Sequence, residues 1–523
     1  MLTRRDFLAS SIALGVIPHV LRAQGAPSNP VFRHGVASGD PLSDRVILWT
    51  RVTPPRQTGT IDVEWMVARD PRMSGVIGRG SARTSRSRDF TVKIDAASLD
   101  PATTYYYRFA ALGEQSPIGR TRTLPISNAD RLRFALASCA NYPFGFFNVY
   151  GRIAARADLD AVLHLGDYFY EYANANYGNR PGVGDGKAFG RIHAPNHELL
   201  ALEDYRVRYA QYREDPDLQA AHRQHPFIVI WDDHEFANNS WSGGAQNHQA
   251  NEGSWPMRRR AAAQAWREWM PVRVEGEVIL GYRKFTFGDL ADLFMLDTRI
   301  VGRDEQVATA KDVASIERQS RQLLGATQET WLFGGLRDSV RAKRPWQILG
   351  QQIMFSPQAA MGTQGGAIDS WEGYRAARNR VFDAAASAGT SHLVVFTGDV
   401  HSSWAYDIAR DPFANYDPQS GRGAIGSEIV TSSVTSPSGL TAERAAALLK
   451  ARPHLKYVEG EQRGYTVVDI TRERLQADWW VVPTVTERSS AESRAKSLVS
   501  GAAQPHFVEV STPVTAGGVD PAP

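Results

Sequence analysis

The 523-residue sequence predicts a small all-β domain followed by a larger α/β domain. In the first quarter of the chain, apolar and polar residues alternate, which is the period-2 pattern of half-buried strands. After residue 131, short continuous apolar runs alternate with helical or loop segments, a pattern typical of sheets covered by helices. Charged residues make up 22% and hydrophobic residues 42% of the chain. These values exclude a mainly disordered protein, a fibre and a polytopic membrane protein.

The first 23 residues are predicted to be an export signal. Arg4 and Arg5 precede Phe7 and Leu8, a short apolar core spans residues 12–17, and a small residue follows at 23. This is the layout of a signal peptide, and the arginine pair resembles a twin-arginine signal; an ordinary amphipathic N-terminus is the alternative. We therefore expect the twin-arginine translocase as a partner during export, a periplasmic or secreted protein, and no membrane span in the mature chain.

Residues 31–124 are predicted to form a β-sandwich of the fibronectin or immunoglobulin kind. Residues 46–52 and 105–109 are rich in β-branched and aromatic side chains, and the apolar residues at 61, 63, 65 and 67 alternate with Asp62 and Glu64. Several short strands at this spacing are typical of such sandwiches. Residues 125–130 are interpreted as a linker.

Residues 131–483 are predicted to form the α/β domain. Helices are expected over 203–212 and 257–270, and a closing β-hairpin over 465–470 and 475–482. Residues 173–191 are rich in glycine and asparagine and lack periodicity, so they are expected to form a long loop. Residues 484–523 form a small, polar C-terminal tail to which the pattern assigns no structure.

Chemically reactive residues follow four of the apolar runs. Cys139 follows residues 134–138, Asp167 and Tyr170 follow 162–165, the segment 232–235 follows 227–231, and Asp399 and His401 follow 393–397. In an α/β fold the carboxyl ends of the strands line one crevice. Carboxylates that lie so close together repel and lose solvation unless cations neutralise them, which predicts a multinuclear metal site.

Each fragment has a structural explanation when it is taken alone. An aspartate after a strand is often a turn residue or a helix cap, and a single buried cysteine is usually a small core residue. The chain has only one cysteine, so no intrachain disulfide can form. Four reactive fragments at the same level of a sheet are difficult to explain as caps.

The motifs together resemble those of PhoD-type alkaline phosphatases, which belong to the calcineurin-like metallophosphatases. The segments that carry the resemblance span residues 31–482, and those at 231–235 and 398–401 are the most specific. They are residues 34–41, 139–141, 166–171, 204–206, 231–239, 296–299, 398–401 and 430–436. The resemblance implies a two-sheet α/β/β/α sandwich for the catalytic domain.

The resemblance also implies the metals and their ligands. A ferric ion would be held by Cys139, Asp167, Tyr170 and His401. Asp167 would bridge to a Ca²⁺ ion, of which two are expected, and the remaining ligands of the calcium site would be Asn238, Asp399 and, less firmly, Asp233. Thiolate, phenolate and imidazole suit Fe³⁺, whereas oxygen ligands suit calcium.

The implied function is hydrolysis of phosphate esters by a metal-activated oxygen nucleophile, with phosphomonoesterase and phosphodiesterase activity. His234 would protonate the leaving group or bind the phosphate, or it would only orient Asp232 or Asp233. Two alternatives remain open: a phospholipase D-like phosphodiesterase on the same metal core, and a non-catalytic secreted binding protein. The net charge of +3 gives no indication of a nucleic-acid-binding surface.

Overall fold

The computed structural model describes residues 29–54, 59–177, 184–274, 281–364, 366–515, 517 and 521–523. The predicted signal at 1–23 lies outside these residues, as do residues 178–183 of the predicted loop at 173–191. Within the described part of the chain, no helix has the length and apolar character needed to cross a bilayer.

The described residues contain three main sheets. The strands are β1 (Val36–Gly39), β2 (Arg45–Arg51), β3 (Ile61–Ala68), β4 (Val76–Thr84), β5 (Thr91–Ala97), β6 (Thr104–Ala111), β7 (Glu114–Gln115), β8 (Gly119–Arg122), β9 (Arg131–Ala137), β10 (Ala161–His164), β11 (Pro226–Val229), β12 (Ser240–Trp241), β13 (Gly244–Ala245), β14 (Arg283–Phe287), β15 (Ala291–Met295), β16 (Trp346–Gly350), β17 (Leu393–Thr397), β18 (Ser403–Ala409), β19 (Ala424–Val430), β20 (Leu455–Glu459), β21 (Arg463–Thr471), β22 (Arg474–Val482), β23 (Ser493–Gly501) and β24 (Gln504–Glu509).

Helices connect many of these strands. They are α1 (Asn148–Ala154), α2 (Leu202–Arg213), α3 (Pro216–Gln224), α4 (Trp255–Trp269), α5 (Val313–Ile316), α6 (Gly325–Arg341), α7 (Arg375–Ala388) and α8 (Ala442–Ala451). The helices expected over 203–212 and 257–270 are α2 and α4, and the expected hairpin is the antiparallel pair β21–β22. Pro256 at the start of α4 has the fixed φ that suits a first turn, and Pro271 follows its end.

The larger sheet has ten strands in the order β24-β23-β22-β21-β9-β10-β11-β1-β2-β5. The smaller has seven, in the order β14-β15-β16-β17-β19-β18-β20. Strands β9, β10 and β11 run parallel in the larger sheet, and β15, β16, β17 and β19 run parallel in the smaller. Parallel strands bring their carboxyl ends to one edge, and this arrangement positions the reactive residues.

The two large sheets share one apolar core. Phe134 and Leu163 from the ten-stranded sheet and Leu293 and Val394 from the seven-stranded sheet belong to the same buried cluster. Neighbouring residues along each strand point to the opposite face, so Ala135 packs instead into the cluster that contains α1 to α4. Helices α6 and α7 cover the outer face of the smaller sheet. Both faces of each central strand are therefore buried, which explains the continuous apolar runs.

The N-terminal segment divides between two sheets. Strands β3, β4, β6, β7 and β8 form a five-stranded sheet, whereas β1, β2 and β5 belong to the ten-stranded sheet. The junction is a parallel pairing of β1 with β11, in which Ser38 lies opposite Pro226. At the other edge, β23 and β24 extend the same sheet, so the tail after residue 483 contributes two strands. Neither pairing is visible in the sequence pattern.

Candidate metal centre

The reactive residues lie where the central parallel strands end. Cys139 follows β9, Asp167 follows β10, Asp232 and Asp233 follow β11, and Asp399 follows β17. The first three strands are neighbours in the larger sheet, and β17 belongs to the sheet packed against it. The convergence expected from the sequence is therefore present.

Two glycines allow these strand ends to approach each other. A Cβ atom on Gly166, whose φ is +105°, would lie 2.3 Å from the Cβ of Asp232. A Cβ atom on Gly398 would lie 2.9 Å from the Cβ of Ser138. Any other residue at these positions would push the strand ends apart, because Cβ atoms are not found that close to other atoms. The glycine before each aspartate is thus a requirement of the close contact between strands.

Four of the residues at the strand ends adopt left-handed backbone conformations. The φ angles are +60° at Cys139, +52° at Asp167, +64° at Asp399 and +58° at His401. Such conformations cost on the order of 1–3 kcal/mol each for residues other than glycine and are concentrated at functional sites. The fold holds these side chains in place at the expense of local backbone energy.

Three overlapping groups of side chains come close enough to hold cations. The ligand atoms within each group all lie within 4.8 Å of one another. The groups are Cys139, Asp167 and His401; Asp167, Asp233 and His234; and Asp232, Asp233 and Asp399. Because Asp167 and Asp233 each belong to two groups, the three groups form one continuous polar cluster.

Tyr170 lies inside the first of these groups. Its hydroxyl donates to Asp167 Oδ2 over 3.1 Å and lies 2.9 Å from His401 Nε2. The Ser436 hydroxyl donates to the hydroxyl oxygen of Tyr170 over 2.8 Å. Tyr177, which the sequence analysis did not single out, places its hydroxyl 3.2 Å from the other nitrogen of His401.

His234 and Asn238 are linked through Glu171. The Nδ1 of His234 lies 2.7 Å from Glu171 Oε2, and the backbone N–H of Asn238 donates to Oε1 over 2.7 Å. The side-chain amide of Asn238 donates to Gln246 over 2.6 Å. The structure thus joins His234 to the cluster directly and Asn238 through its backbone. No role was predicted for Glu171 from the sequence, although it is the last residue of the segment 166–171.

Arg299 is the most prominent residue that sequence reasoning missed. It is fully buried, and its guanidinium donates to Asp232 Oδ1 over 2.5 Å, to Asp399 Oδ1 over 2.8 Å and to Asp369 Oδ2 over 2.7 Å. One cation therefore pairs with carboxylates from three separate segments. The available signal was its position in the segment 296–299, directly after the apolar strand β15.

Glu235 connects the segments that follow β10 and β11. Its Oε2 accepts from the backbone N–H groups of Asp167 over 3.0 Å and of Asp232 over 2.7 Å. Its Oε1 accepts from the N–H of Tyr168 over 2.6 Å. One buried carboxylate thus satisfies three backbone donors and fixes the spacing between the loops after β10 and β11.

Burial and mutual repulsion control the charges of the cluster. Burial raises the pKa of Asp167, and the carboxylates of Asp232 and Asp233 add to this effect against the opposing influence of His234. Burial also raises the pKa of Asp399 to about 7 and lowers that of His401 to about 4. For His234, the surrounding carboxylates outweigh burial and raise the pKa well above its usual value.

The cluster fits a group of bound cations. Asp167 Oδ1, Asp232 Oδ2 and Asp233 Oδ1 are buried and accept no hydrogen bond from the described residues. Buried carboxylate oxygens without a donor are costly, and a cation is the partner that satisfies several at once. The donor set combines thiol, phenol, imidazole and carboxylate groups, which suits iron as well as a harder oxygen-bound ion.

Comparison with known proteins gives consistent results. The family model described as "PhoD-like phosphatase" matches residues 134–479, and "PhoD-like phosphatase, N-terminal domain" matches residues 19–125. The chain is 37% identical over 532 residues to "Alkaline phosphatase D" of Bacillus subtilis (strain 168), covering 98% of this chain and 88% of that protein. A solved structure described as "Structure of PhoD" superposes with a TM-score of 0.83 at 36% identity, covering 94% of each chain. The chain belongs to the PhoD-like phosphatase family.

Proposed function

We propose that this protein is a metal-dependent hydrolase of phosphate esters, with the activity of an alkaline phosphatase. The supporting observation is the convergence of Cys139, Asp167, Tyr170 and His401 with the carboxylates after β11 and β17. Family membership supports the same activity. Phosphodiesterase activity at the same centre is part of the proposal.

The proposed ligands divide by chemistry. Fe³⁺ would be held by Cys139, Asp167, Tyr170 and His401, because the thiolate sulfur and the phenolate oxygen are strong anionic donors. The oxygen ligands of Asp167, Asp233, Asn238 and Asp399 would hold two Ca²⁺ ions. When bound, these ions supply Lewis acidity that neutralises negative charge on the phosphoryl group.

The side chains of the protein have the remaining roles. His234 is oriented by its contact with Glu171 through Nδ1, which leaves Nε2 to donate a proton to the leaving-group oxygen. Arg299 holds Asp232 and Asp399 in a fixed relation by donating to both. Glu235 sets the distance between Asp167 and Asp232 through their backbone N–H groups.

The remaining predictions from the sequence are proposals of the same kind. Residues 1–23 would direct export through the twin-arginine translocase to the periplasm or the medium. The two sheets that share a core, with helices outside them, would constitute the α/β/β/α sandwich, and residues 31–124 would form the fibronectin- or immunoglobulin-like unit. The comparisons favour neither a phospholipase D-like enzyme nor a non-catalytic binding protein over a phosphatase.

The test is elemental analysis of the purified protein together with hydrolysis assays. We expect stoichiometric iron and calcium, turnover of a phosphomonoester and slower turnover of a phosphodiester. The Asp167→Ala variant should lose both metal and turnover, whereas Asp62→Ala, an exposed change in β3, should lose neither. Full activity in Asp167→Ala, or absence of metal from the active wild-type protein, would contradict the proposal.

A further inference from the structure

A cavity with six basic residues in its lining lies beside helix α4. It has a volume of about 840 Å³ and lies between α4, strand β5 and the segment 272–274. None of the residues in the three metal-binding groups lines it, but Trp231 and Ile300, the chain neighbours of Asp232 and Arg299, form part of its wall. The cavity is therefore separate from the catalytic centre and adjacent to it.

The cationic residues exceed the acidic ones in this lining by four. The six cations are Arg88, Lys93, Arg259, Arg260, Arg267 and Arg273, and the two acids are Asp95 and Glu268. Both acids already have partners: Asp95 pairs with Arg273, and Glu268 pairs with Arg206, which is not part of the lining. The charge of the whole chain is only +3, so this concentration of positive charge is local.

The basic residues of the cavity come from different elements of the fold. Arg260 and Arg267 are seven residues apart on α4, which places them on the same face of the helix, with Ala263 and Gln264 between them. Lys93 lies on β5, and its ammonium group donates to the backbone carbonyl of Val272 over 3.2 Å. Burial lowers the pKa of Lys93 to about 7, so this ammonium carries its full charge only below that pH, whereas the arginines stay charged. The charge of Arg267 adds to this lowering, so the two cations repel each other, and an anion bound in the cavity would offset that repulsion.

We propose that this cavity binds a polyanion carrying more than one phosphoryl group, at a site distinct from the catalytic centre. Arginine is suited to this ligand because its planar guanidinium donates two parallel hydrogen bonds to phosphate oxygens. The volume exceeds the space needed for one phosphate ion, and the basic residues are distributed over helix α4, strand β5 and the segments next to them. The inference goes beyond the proposed hydrolysis, because it assigns a binding site in which no ester is cleaved.

The test is calorimetric titration of the metal-loaded protein with methylenediphosphonate, a diphosphate analogue that is not hydrolysed. We expect two binding events, one at the catalytic metals and one in the cavity. The Arg260→Gln/Arg267→Gln variant should weaken the second event at least about tenfold while leaving the first unchanged, since two charge-assisted hydrogen-bond donors are lost. Lys93→Gln, on β5, should weaken the same event at pH 6, where this ammonium is charged.

The matched control is Arg337→Gln/Arg444→Gln, which removes the same charge from exposed positions on α6 and α8. It should retain both events. A single event in the wild-type protein, or a second event that the cavity variants and the control change equally, would overturn the proposal.

Glu275 and Glu277 follow the lining residue Val274 in the sequence and lie outside the described residues. If the second event appears only in Glu275→Gln/Glu277→Gln, the chain neutralises its own cavity and the proposal is wrong.

Discussion

Replacing Asp167 by asparagine should change the stability of the metal-free and metal-loaded protein in opposite directions. The side chain is 1% exposed, its Oδ2 accepts from Tyr170, and its Oδ1 accepts no hydrogen bond from the described residues. Asparagine has nearly the same shape and retains an oxygen for Tyr170. The substitution therefore replaces a carboxyl group whose ionisation the site opposes by a neutral amide, with little change in packing.

The magnitude follows from the distances within the cluster. The ligand atoms of Asp167 and Asp233 lie within 4.8 Å of each other. Two like charges at about 4.8 Å repel by about 3.5 kcal/mol when the effective dielectric constant is about 20. Attraction to His234 cancels much of this repulsion, and the remaining cost comes from burying a charged carboxylate. We expect metal-free Asp167→Asn to be more stable than the metal-free wild type by about 1–3 kcal/mol.

The metal-loaded proteins should show the reverse order. Bound cations stabilise the native state by about 4 kcal/mol when their concentration is a thousand times the dissociation constant, and the variant lacks the carboxylate shared by two groups. Scanning calorimetry at pH 8, with and without a chelator, measures both differences, and elemental analysis measures the metal content. The expected result is a small effect of the chelator on Asp167→Asn and a large one on the wild type.

Asp469→Asn provides the control. Asp469 is fully buried and accepts from Arg133 over 3.0 Å, and it belongs to none of the three metal-binding groups. Its neutralisation should lower the melting temperature of both forms without loss of metal, because a buried ion pair is broken. A melting temperature of metal-free Asp167→Asn below that of the metal-free wild type, or full metal content in the loaded variant, would contradict this expectation.

Three further predictions concern catalysis, iron and acid stability. His234→Ala should lower kcat by about 10²–10⁴-fold for an alkyl phosphate and less for a nitrophenyl phosphate, which needs no protonated leaving group; equal losses on both substrates would contradict proton donation. Tyr170→Phe should remove the phenolate-to-iron component of the visible charge-transfer absorption and leave the component from the Cys139 thiolate, so a spectrum identical to that of the iron-loaded wild type would remove Tyr170 from the ligands. Burial lowers the pKa of His34 and of His392 to about 4 each. The unfolded chain therefore binds protons that these imidazoles do not, and stability is lost as pH falls from 6.5 toward 4, by about 2 kcal/mol per group at pH 5. Unfolding free energies of wild type and His392→Gln at pH 8 and pH 5 measure this, and the variant should lose about 2 kcal/mol less.

Local patterns in the chain were sufficient to locate the site within the fold. Continuous apolar runs identify strands buried on both faces, and residues that follow such strands meet at one edge of a parallel sheet. Asp167 and Asp399 could therefore be placed together without coordinates. The helices α2 and α4 and the hairpin β21–β22 followed from local periodicity and turn signals, which depend on residues close together in the chain.

The identity of the distant residues that surround the site depends on long-range packing. Arg299 pairs with Asp232 and Asp399, 67 and 100 residues away, and local pattern carries no information about such separations. The pairing of β1 with β11 and the addition of β23 and β24 to the same sheet are equally distant, so the N-terminal segment and the tail could not be assigned to it. The basic cavity beside α4 exists because helix packing brings Arg260 and Arg267 into the same lining as Lys93. Strand pairing and side-chain packing depend on the whole chain, whereas periodicity depends on a few neighbours.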